Sequence, residues 1–459
     1  MFRYAMVSTF FIYLLICEGM YAATSTWTAN ATPIPLTQTT NSSVFNAASS
    51  SGNFMVTWQD SSTTKPFYAI YDGTNWTTPQ VIPGLSGGDN VDSDVFVSVS
   101  SAGLFMVTWK DTSTLHPFYA LYDGSSWTTP QAIPGSGSMF GDAFSAVNPA
   151  GEFMVTWVIA SGAPDYAIYD GSSWTTPGPI PTVEEFGINA YCSADYSGNF
   201  MVTGWNITNL PAYTIYDGTT WTPLTDIGES DANSDVFSSF NSLGFMVTWQ
   251  DATTNKPFYS IYNGSSWTTP QAIPGSNPIV TNVLSSASPS GDFMVTWKDN
   301  ATSEPFYAIY DGISWTTPQA IPGAGPSDNY AASSVNVAGN FFLTWQDGTT
   351  NDPFYAEQNI QNNPLPPVSL KGKQKSTRFW TQTEFYDVLS WGAPVSGVSP
   401  ASYKIYRDSL TNLIGVVQAG PNLYFEDHNR RNIAYTYYIV SIDVNGNSSS
   451  PGMIVVTPK

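Results

Sequence analysis

The chain has 459 residues, with 35 acidic against 14 basic side chains and a formal net charge of −21 at neutral pH. This length exceeds one ordinary core and suits either two or three domains or one large repeat architecture. The charge is uneven, because residues 24–365 hold 28 acidic residues against four lysines and no arginine, whereas residues 366–459 carry a balance of +3. Phosphate binding needs clustered Lys and Arg, so the composition argues against nucleic acid and anionic lipid as partners.

Residues 1–22 are predicted to be a signal peptide. One charge at Arg3 precedes an apolar stretch that ends near Ile16, and small residues follow around Ala22. No later segment approaches the roughly 20 apolar residues of a membrane-spanning helix. We therefore expect an exported protein without membrane insertion, secreted or held at the cell surface. After removal of the signal, Cys192 is the only cysteine, so no internal disulfide is expected.

A repeat with seven copies fills residues 23–363. The motif "FMVTW" and its variants "FMVTGW" and "FFLTW" begin 45 to 51 residues apart, at Phe54, Phe105, Phe153, Phe200, Phe245, Phe293 and Phe341. A period of about 40 to 50 residues with several short strands per unit is typical of propeller blades. The sequence therefore predicts an all-β fold with a seven-bladed β-propeller.

Each repeat is expected to form four strands. An inner strand such as "DVFVSVSS" from Asp94 precedes "LFMVTWKD", whose apolar residues alternate at the period of a pleated strand. The tight turn of "PFYALYDG" leads to "SSWTTPQAIP", and the proline there suits an edge strand. Six repeats contain this last element, and the seventh copy is the N-terminal "STWTANATPIP" around Trp27. Residues 24–36 are thus predicted to supply the outer strand of the last blade.

The chain after the ring has a different pattern. The proline-rich stretch from Asn362 to Pro367 marks a break, with residues 364–367 as the linker and 368–459 as a second domain. The segments "DVLSW", "ASYKIYRD" and "YTYYIVSIDVNGNSS" resemble a fibronectin type III domain. The resemblance implies a seven-stranded β-sandwich that serves as a spacer or a protein-contact module.

The residue inventory disfavours several kinds of enzyme. Propeller sialidases use an arginine triad, and residues 24–365 contain no arginine. His116 is the only histidine of that region, so a histidine-based metal cluster or a Ser-His-Asp triad is not expected there, and His116 itself suits a solvated loop. Carboxylates are plentiful, which leaves a polysaccharide hydrolase or lyase open as an alternative.

Five repeats share the elements Trp-Gln/Lys-Asp and Pro-Phe-Tyr, and strand direction brings the two elements to one face of the ring. An exposed aromatic ring beside a carboxylate suits a sugar, which stacks its apolar face and offers hydroxyls to acceptors. The alternative is that Asp caps its loop and Phe packs beneath it. The third and fourth repeats lose the Asp and the Phe together. The candidate ligand-binding residues are Trp58, Asp60, Phe67, Trp109, Asp111, Phe118, Trp249, Asp251, Phe258, Trp297, Asp299, Phe306, Trp345, Asp347 and Phe354.

A second set of polar residues begins the inner strands, around the expected channel mouth. These residues are Ser43, Asp94, Asp142, Asn189, Asp235, Asn282 and Tyr330. Oxygen ligands in such a ring are able to hold Ca²⁺. Because no compact calcium-loop motif is present, turn formation and solubility are the simpler interpretation, and no cofactor is expected.

These observations favour an exported, multivalent binding or adhesion protein that recognises carbohydrate through repeated sites on one propeller face. Repeated weak sites gain avidity when the partner presents several copies, as a glycan surface does. Propeller lectins offer the analogy, although this chain lacks the arginines found in some of their sites. The alternatives are a protein-interaction scaffold, with a cell-surface protein as the partner, and the hydrolase or lyase.

Overall fold

The computed structural model describes residues 25–35, 39–85, 90–181, 189–360, 364, 366–380, 382–394, 399–444, 448–449 and 451–459. The elements in these ranges are β-strands joined by turns, without a helix, which confirms the predicted all-β fold. The same residues accordingly offer no helix of the length and hydropathy that a membrane crossing requires. The predicted signal peptide at 1–22 lies outside the described residues.

Residues 25–360 form seven four-stranded antiparallel sheets, here called blades 1 to 7 in the order of the repeats. Blade 1 contains β2 (Phe45–Ala48), β3 (Phe54–Gln59), β4 (Pro66–Tyr71) and β5 (Gln80–Val81); blade 2 contains β6 (Phe96–Val99), β7 (Phe105–Lys110), β8 (Pro117–Tyr122) and β9 (Gln131–Ala132). Blade 3 contains β10 (Met139–Val147), β11 (Phe153–Ile159), β12 (Pro164–Tyr169) and β13 (Gly178–Pro179). Blade 4 contains β14 (Tyr191–Ala194), β15 (Phe200–Trp205), β16 (Pro211–Tyr216) and β17 (Thr225–Asp226).

The remaining blades follow the same plan. Blade 5 contains β18 (Phe237–Asn241), β19 (Gly244–Gln250), β20 (Pro257–Tyr262) and β21 (Gln271–Ala272); blade 6 contains β22 (Leu284–Ala287), β23 (Phe293–Lys298), β24 (Pro305–Tyr310) and β25 (Gln319–Ala320). Blade 7 contains β26 (Ala332–Val335), β27 (Phe341–Gln346), β28 (Pro353–Ile360) and β1 (Ser25–Pro33).

Blade 7 is assembled from both ends of this region. Strand β1 pairs antiparallel with β28, and Trp27 lies opposite Gln358. The innermost strands contact one another in cyclic order, including β26 of blade 7 with β2 of blade 1. This circular arrangement of twisted sheets is that of a β-propeller, and the N-terminal strand occupies the outer position that the last repeat lacks.

The "FMVTW" strand packs its two faces against different blades. Phe54, Val56 and Trp58 lie in the core between blades 7 and 1. Met55 lies in the core between blades 1 and 2. Alternate side chains of a strand point to opposite faces, so one strand fills two cores. The ring is therefore stabilised mainly by apolar contacts between blades.

The threonine of each "FMVTW" motif links its blade to the next one. Thr57 Oγ1 donates to the Val95 carbonyl of blade 2 at 2.7 Å, and Thr344 Oγ1 donates to the Val44 carbonyl of blade 1 at 2.7 Å. The other five threonines make the equivalent bond at 2.6 to 2.7 Å: Thr108, Thr156, Thr203, Thr248 and Thr296. Because these hydroxyls are fully buried, every junction contains one satisfied buried polar link.

A tyrosine of each third strand contacts a tryptophan of the next blade edge to face. Tyr68 and Trp127 illustrate the pair, with ring centroids 4.7 Å apart. Trp27 makes the same contact with Tyr307 at 5.1 Å, so the N-terminal strand reproduces the packing of an ordinary outer strand. The remaining pairs, at 4.8 to 5.0 Å, are Tyr119 with Trp174, Tyr166 with Trp221, Tyr213 with Trp267, Tyr259 with Trp315 and Tyr355 with Trp76.

The centre of the ring is filled by an apolar plug. It consists of Phe45, Phe96, Phe144, Tyr191, Phe237, Leu284, Tyr330 and Ala332. Ala332 is the small member of the set, and the Tyr330 ring fills the space beside it, with its centroid 6.3 Å from that of Phe45. The tyrosine at the start of the seventh inner strand is thus explained by packing. The channel mouth has an aromatic floor.

The C-terminal region is a sandwich of two sheets. One contains β29 (Val368–Phe379), β30 (Gln382–Gly392) and β33 (Tyr424–Arg430); the other contains β32 (Leu413–Gln418), β31 (Ser402–Arg407), β34 (Tyr435–Ile442) and β35 (Gly452–Val456). Trp391, Tyr403 and Tyr437 lie in its core. The β-sandwich is as predicted, while membership of the fibronectin type III family stays a prediction.

Candidate functional site

Two kinds of loop meet on one side of the ring, which we call the entry face. One kind enters the inner strand of each blade, and the other joins the second strand to the third. Val91 of the first kind donates its N–H to the Thr64 carbonyl of blade 1 at 2.8 Å. Val91 also forms an isolated β-bridge with Asp111 in its own blade. The N–H to carbonyl bond that Val91 illustrates joins the loops at six of the seven junctions within the described residues, around the channel mouth.

The aspartates of the five predicted sites hold the loops of the entry face. Asp60 Oδ1 accepts hydrogen bonds from the N–H and hydroxyl of Thr63 at 2.8 and 2.7 Å. The hydroxyls of Ser230 and Thr254 bond Asp251 and, although burial acts in the opposite direction, lower the pKa of its carboxyl. All five aspartates are buried, with at most 6 % of each residue exposed: Asp60, Asp111, Asp251, Asp299 and Asp347. This is the loop-capping arrangement that the sequence left as the alternative.

The tryptophans of the predicted sites lie inside the blade junctions. Their side chains are 0 % exposed at Trp58, Trp109, Trp249, Trp297 and Trp345. A ring without exposed area offers no stacking surface, so the expected tryptophan platform is corrected: these indoles are core residues. Of the phenylalanines, Phe118 is buried, whereas Phe67, Phe258, Phe306 and Phe354 keep some exposed area. A ligand at the five repeated elements stays a prediction.

The residues that begin the inner strands form a hydrogen-bonded ring at the channel mouth. The backbone N–H of Ser43 donates to Asp94 Oδ1 at 3.0 Å, and that of Asp94 donates to Asp142 Oδ1 at 3.3 Å. Asp142 and Asp235 donate in the same way to the side-chain oxygens of Asn189 and Asn282. Four of the seven side chains, those of Asp94, Asp142, Asn189 and Asn282, therefore cap the strand of the preceding blade, which favours the turn-forming interpretation of this set.

Two carboxyls in this ring have raised pKa values. Burial raises the pKa of Asp94. Burial, together with the charges of Asp94 and Asp235, raises the pKa of Asp142 well above its ordinary value. Asp235 accepts from the Tyr191 hydroxyl at 2.9 Å and from the Asn282 amide at 2.9 Å. The three carboxyls Asp94, Asp142 and Asp235 are therefore close enough at the mouth for their charges to interact.

Blade 4 departs from the repeat at its second strand. Aligned with "FMVTW" by its tryptophan, the "FMVTGW" strand is one residue longer and this interpretation places Trp205 in the position of Trp58. The structure corrects this interpretation, because Gly204 lies opposite Ala212, as Trp58 lies opposite Phe67. Trp205 occupies instead the position of Gln59, so its side chain turns toward blade 5 and is partly exposed.

A pocket of about 410 Å³ lies beside Trp205, at the junction of blades 4 and 5. Its polar lining comes from both blades and from the mouth ring, and includes Asn189, Asp231, Asn233, Asp235 and Asn282. One aromatic surface therefore stands beside several amide and carboxylate groups. The sequence signal for this site was the glycine before Trp205 together with the loss of Phe at Ala212.

A pocket in the equivalent place between blades 1 and 2 has a different chemistry. Its volume is about 460 Å³, and Gln59 stands where Trp205 lies. The Gln59 amide donates to the Val91 carbonyl at 2.6 Å, and Lys110 Nζ pairs with Asp92 at 2.9 Å. Here the polar groups bind one another, whereas the blade 4 and 5 pocket presents an indole.

The structure also describes the surroundings of His116 and Cys192, the other candidate residues of the ring. His116 is partly buried, with Nδ1 3.3 Å from Ser136 Oγ, so it is less exposed than expected. Cys192 is a buried free thiol, and burial raises its pKa to about 12. Within the described ranges, no three His, Cys, Asp or Glu side chains are grouped as metal ligands. The Ca²⁺ interpretation of the mouth ring stays a prediction.

No family model and no curated protein matches this chain. Among solved structures, a fungal alcohol oxidase of the AA5 family, in complex with copper, shares 14% identity over 94% of this chain and 99% of its own, with a TM-score of 0.52. A mutant of the Aleuria aurantia lectin with Fucα1-6GlcNAc shares 18% identity over 63% and 97% of the two chains, at a TM-score of 0.46. AofleA from Arthrobotrys oligospora shares 11% over 64% and 90%, also at 0.46. At 14% identity the likeness to the alcohol oxidase is one of fold.

Proposed function

We propose that this protein binds carbohydrate, and that its main site is the pocket between blades 4 and 5. The observation that carries the proposal is the partly exposed Trp205 beside the amides and carboxylates of blade 5 and the mouth ring. The alcohol oxidase and the lectins contribute the fold to this proposal and nothing about the ligand.

A sugar requires two kinds of contact at once. The C–H face of a pyranose packs on an aromatic ring, while its hydroxyls bond to acceptors and donors at the edge. Trp205 supplies the first, and Asn233 and Asp231 supply the second, with Asn233 as both donor and acceptor. A volume of about 410 Å³ also lies within the range of about 300–1,000 Å³ that small-ligand sites occupy.

The setting of the protein is part of the proposal. The sequence of residues 1–22 supports export, and we propose that the protein acts outside the cell, on a glycan surface or on a glycosylated partner. Multivalent binding through the repeated elements would add avidity to the pocket. With their indoles buried, those elements have only the partly exposed phenylalanines to offer a sugar.

The experiment is a glycan array with the mature protein and the variant Trp205→Gln. Glutamine is the residue at this position in blades 1, 5 and 7, where its amide donates to a carbonyl of the next blade at 2.6 to 2.7 Å. The substitution is therefore compatible with the fold. We expect the parent to bind a defined set of glycans, and the variant to lose at least tenfold in affinity, about 1.4 kcal/mol.

A control variant separates the alternatives. Changing Phe67, Phe306 and Phe354 together to Ala alters three of the four partly exposed repeated elements and none of the pocket residues, and retained binding is expected. If this variant loses binding and Trp205→Gln does not, the repeated elements are the site. A parent protein that binds no glycan on the array but retains a protein partner would replace the carbohydrate proposal with the scaffold.

A further inference from the structure

The blade 4 and 5 pocket contains carboxylates that lack a cationic partner. Asp231 and Asp235 both line it, and neither takes part in an ion pair within the residues that the structure describes. In the equivalent pocket, which Asp94 and Asp142 line as well, Lys110 pairs with Asp92. In blade 5 the residues at those two positions are Gln250 and Asn233. The pocket with the indole is thus the one without a built-in cation.

The surroundings reinforce this negative charge. Residues 24–365 hold no arginine and carry a balance of −24. A carboxylated or sulfated sugar would bring another anion into this field, whereas a cation would be attracted.

Trp205 favours the same kind of ligand. A protonated amine near an indole face gains a cation–π interaction. An amine also donates to carboxylates in a charge-assisted hydrogen bond. One aromatic surface flanked by carboxylates therefore suits a sugar that carries both an apolar ring face and a protonated amine.

We infer that the ligand of this pocket is an amine-bearing sugar, a glucosamine-type unit with a free amino group, bound between Trp205 and Asp231. The inference rests on the proposed function, since it names the sugar class of the same site. It distinguishes the free amine from its N-acetylated form, in which the positive charge is absent, and from acidic sugars.

The test is calorimetric titration of the mature protein at pH 6 with three tetrasaccharides: glucosamine, N-acetylglucosamine and galacturonate oligomers. Tetralysine serves as a fourth probe, for plain charge attraction. We expect the glucosamine tetramer to bind about tenfold more tightly than the acetylated one, with the ratio shrinking as salt is added. The galacturonate oligomer and tetralysine should bind at least tenfold more weakly than the glucosamine tetramer.

Variants locate the effect. Asp231→Asn should bring the affinity ratio of the two glucosamine oligomers close to one, while Trp205→Gln should weaken both oligomers. Asp92→Asn removes a carboxylate from the equivalent pocket instead, and as a control it should leave the ratio unchanged. A ratio that Asp231→Asn does not alter, or glucosamine binding that survives Trp205→Gln, would assign the preference to general surface charge and overturn the inference.

The remaining outcomes separate the two proposals. Equal or tighter binding of the acetylated or galacturonate oligomer, lost in Trp205→Gln, would overturn the amine preference and leave the carbohydrate site in place. Failure of all three oligosaccharides to bind would overturn the amine inference. A blank glycan array in addition would remove the proposed function itself.

Discussion

The junctions between blades 1 and 2 and between blades 4 and 5 share the strand order and the threonine link, and they differ at the strand position of Gln59 and Trp205. In the first, Trp109 is buried between the blades and Gln59 binds a carbonyl of the next blade. In the second, Trp249 is buried in the same way, but the place of Gln59 is taken by Trp205, which faces a pocket. One aromatic residue stabilises the ring when buried, and becomes available to a ligand when it occupies the next position along the strand.

The largest expected difference is in stability. Trp109→Ala removes a side chain that is 0 % exposed, and we expect it to lower the free energy of unfolding by about 3–5 kcal/mol. Trp205→Ala removes a partly exposed side chain, and a loss of about 0.5–1.5 kcal/mol is expected. Denaturant unfolding followed by fluorescence measures both. Equal losses would show that Trp205 is a core residue.

The threonine links should be alike in the two junctions. Thr57→Val and Thr203→Val keep the shape of the side chain but leave a buried carbonyl, of Val95 or Val236, without its donor. A loss of about 1–3 kcal/mol is expected for each variant. Thermal unfolding of the two proteins would compare them directly. A junction that tolerates the change without loss would show that its link contributes nothing beyond packing.

The pH dependence should reflect the carboxyls of the channel mouth. The pKa values of Asp94 and Asp142 are raised in the folded chain, so the folded state holds protons that the unfolded state has released. Their contribution to the free energy of unfolding is full below about pH 4 and is lost as the pH rises through the folded pKa values.

Asp142→Asn isolates this contribution, since asparagine begins the inner strand in blades 4 and 6 and keeps the side-chain oxygen that accepts from Asp94. The melting temperature of the parent should fall between pH 5 and pH 7.5 by more than that of the variant. The same pH dependence of the melting temperature in the two proteins would show that Asp142 makes no such contribution.

The smallest expected effect on stability is that of placing an indole in the blade 1 and 2 pocket. Gln59→Trp gives the blade 1 and 2 pocket the aromatic residue of its counterpart, at the cost of one hydrogen bond worth about 0.5–1.5 kcal/mol. If the indole is what distinguishes the two pockets, the variant should gain a second, weaker glycan site in titration. With Lys110 beside Asp92, the new site should not prefer an amine. Unchanged stoichiometry would show that the indole alone does not make a site.

The sequence was sufficient for the fold because the repeat is strong. Seven "FMVTW" motifs predicted the blades, and Trp27 predicted the closing strand, since the tryptophans of the repeats, except Trp205, recur in the same two structural roles. The role of the threonine, however, was not apparent, because a residue common to every copy shows that a contact is needed and not which atom it joins. For the aspartates of the loops, the sequence likewise left two roles open, ligand binding and loop capping.

The site was harder to predict because it depends on which face of the strand Trp205 occupies. The glycine in "FMVTGW" allows two alignments with "FMVTW", and the two choices place Trp205 on opposite faces of the strand. Only cross-strand pairing, with Gly204 opposite Ala212, decides between them. A pocket formed by a broken repeat is therefore recognisable in sequence as an irregular blade, while its lining is not.

Closure of blade 7 by strand β1 has a consequence for how the protein is made. Pro33 pairs with Phe354, so the two partners leave the ribosome about 320 residues apart, an interval of roughly 15 to 60 seconds at 5–20 residues per second. Until then strand β1 is a nascent segment with no partner. Its sequence, "STWTANATP", has one large apolar residue among short polar ones, a composition that resists premature association. Ring assembly thus ends with the oldest segment of the propeller, and a stalled or truncated chain retains an open edge on its last blade.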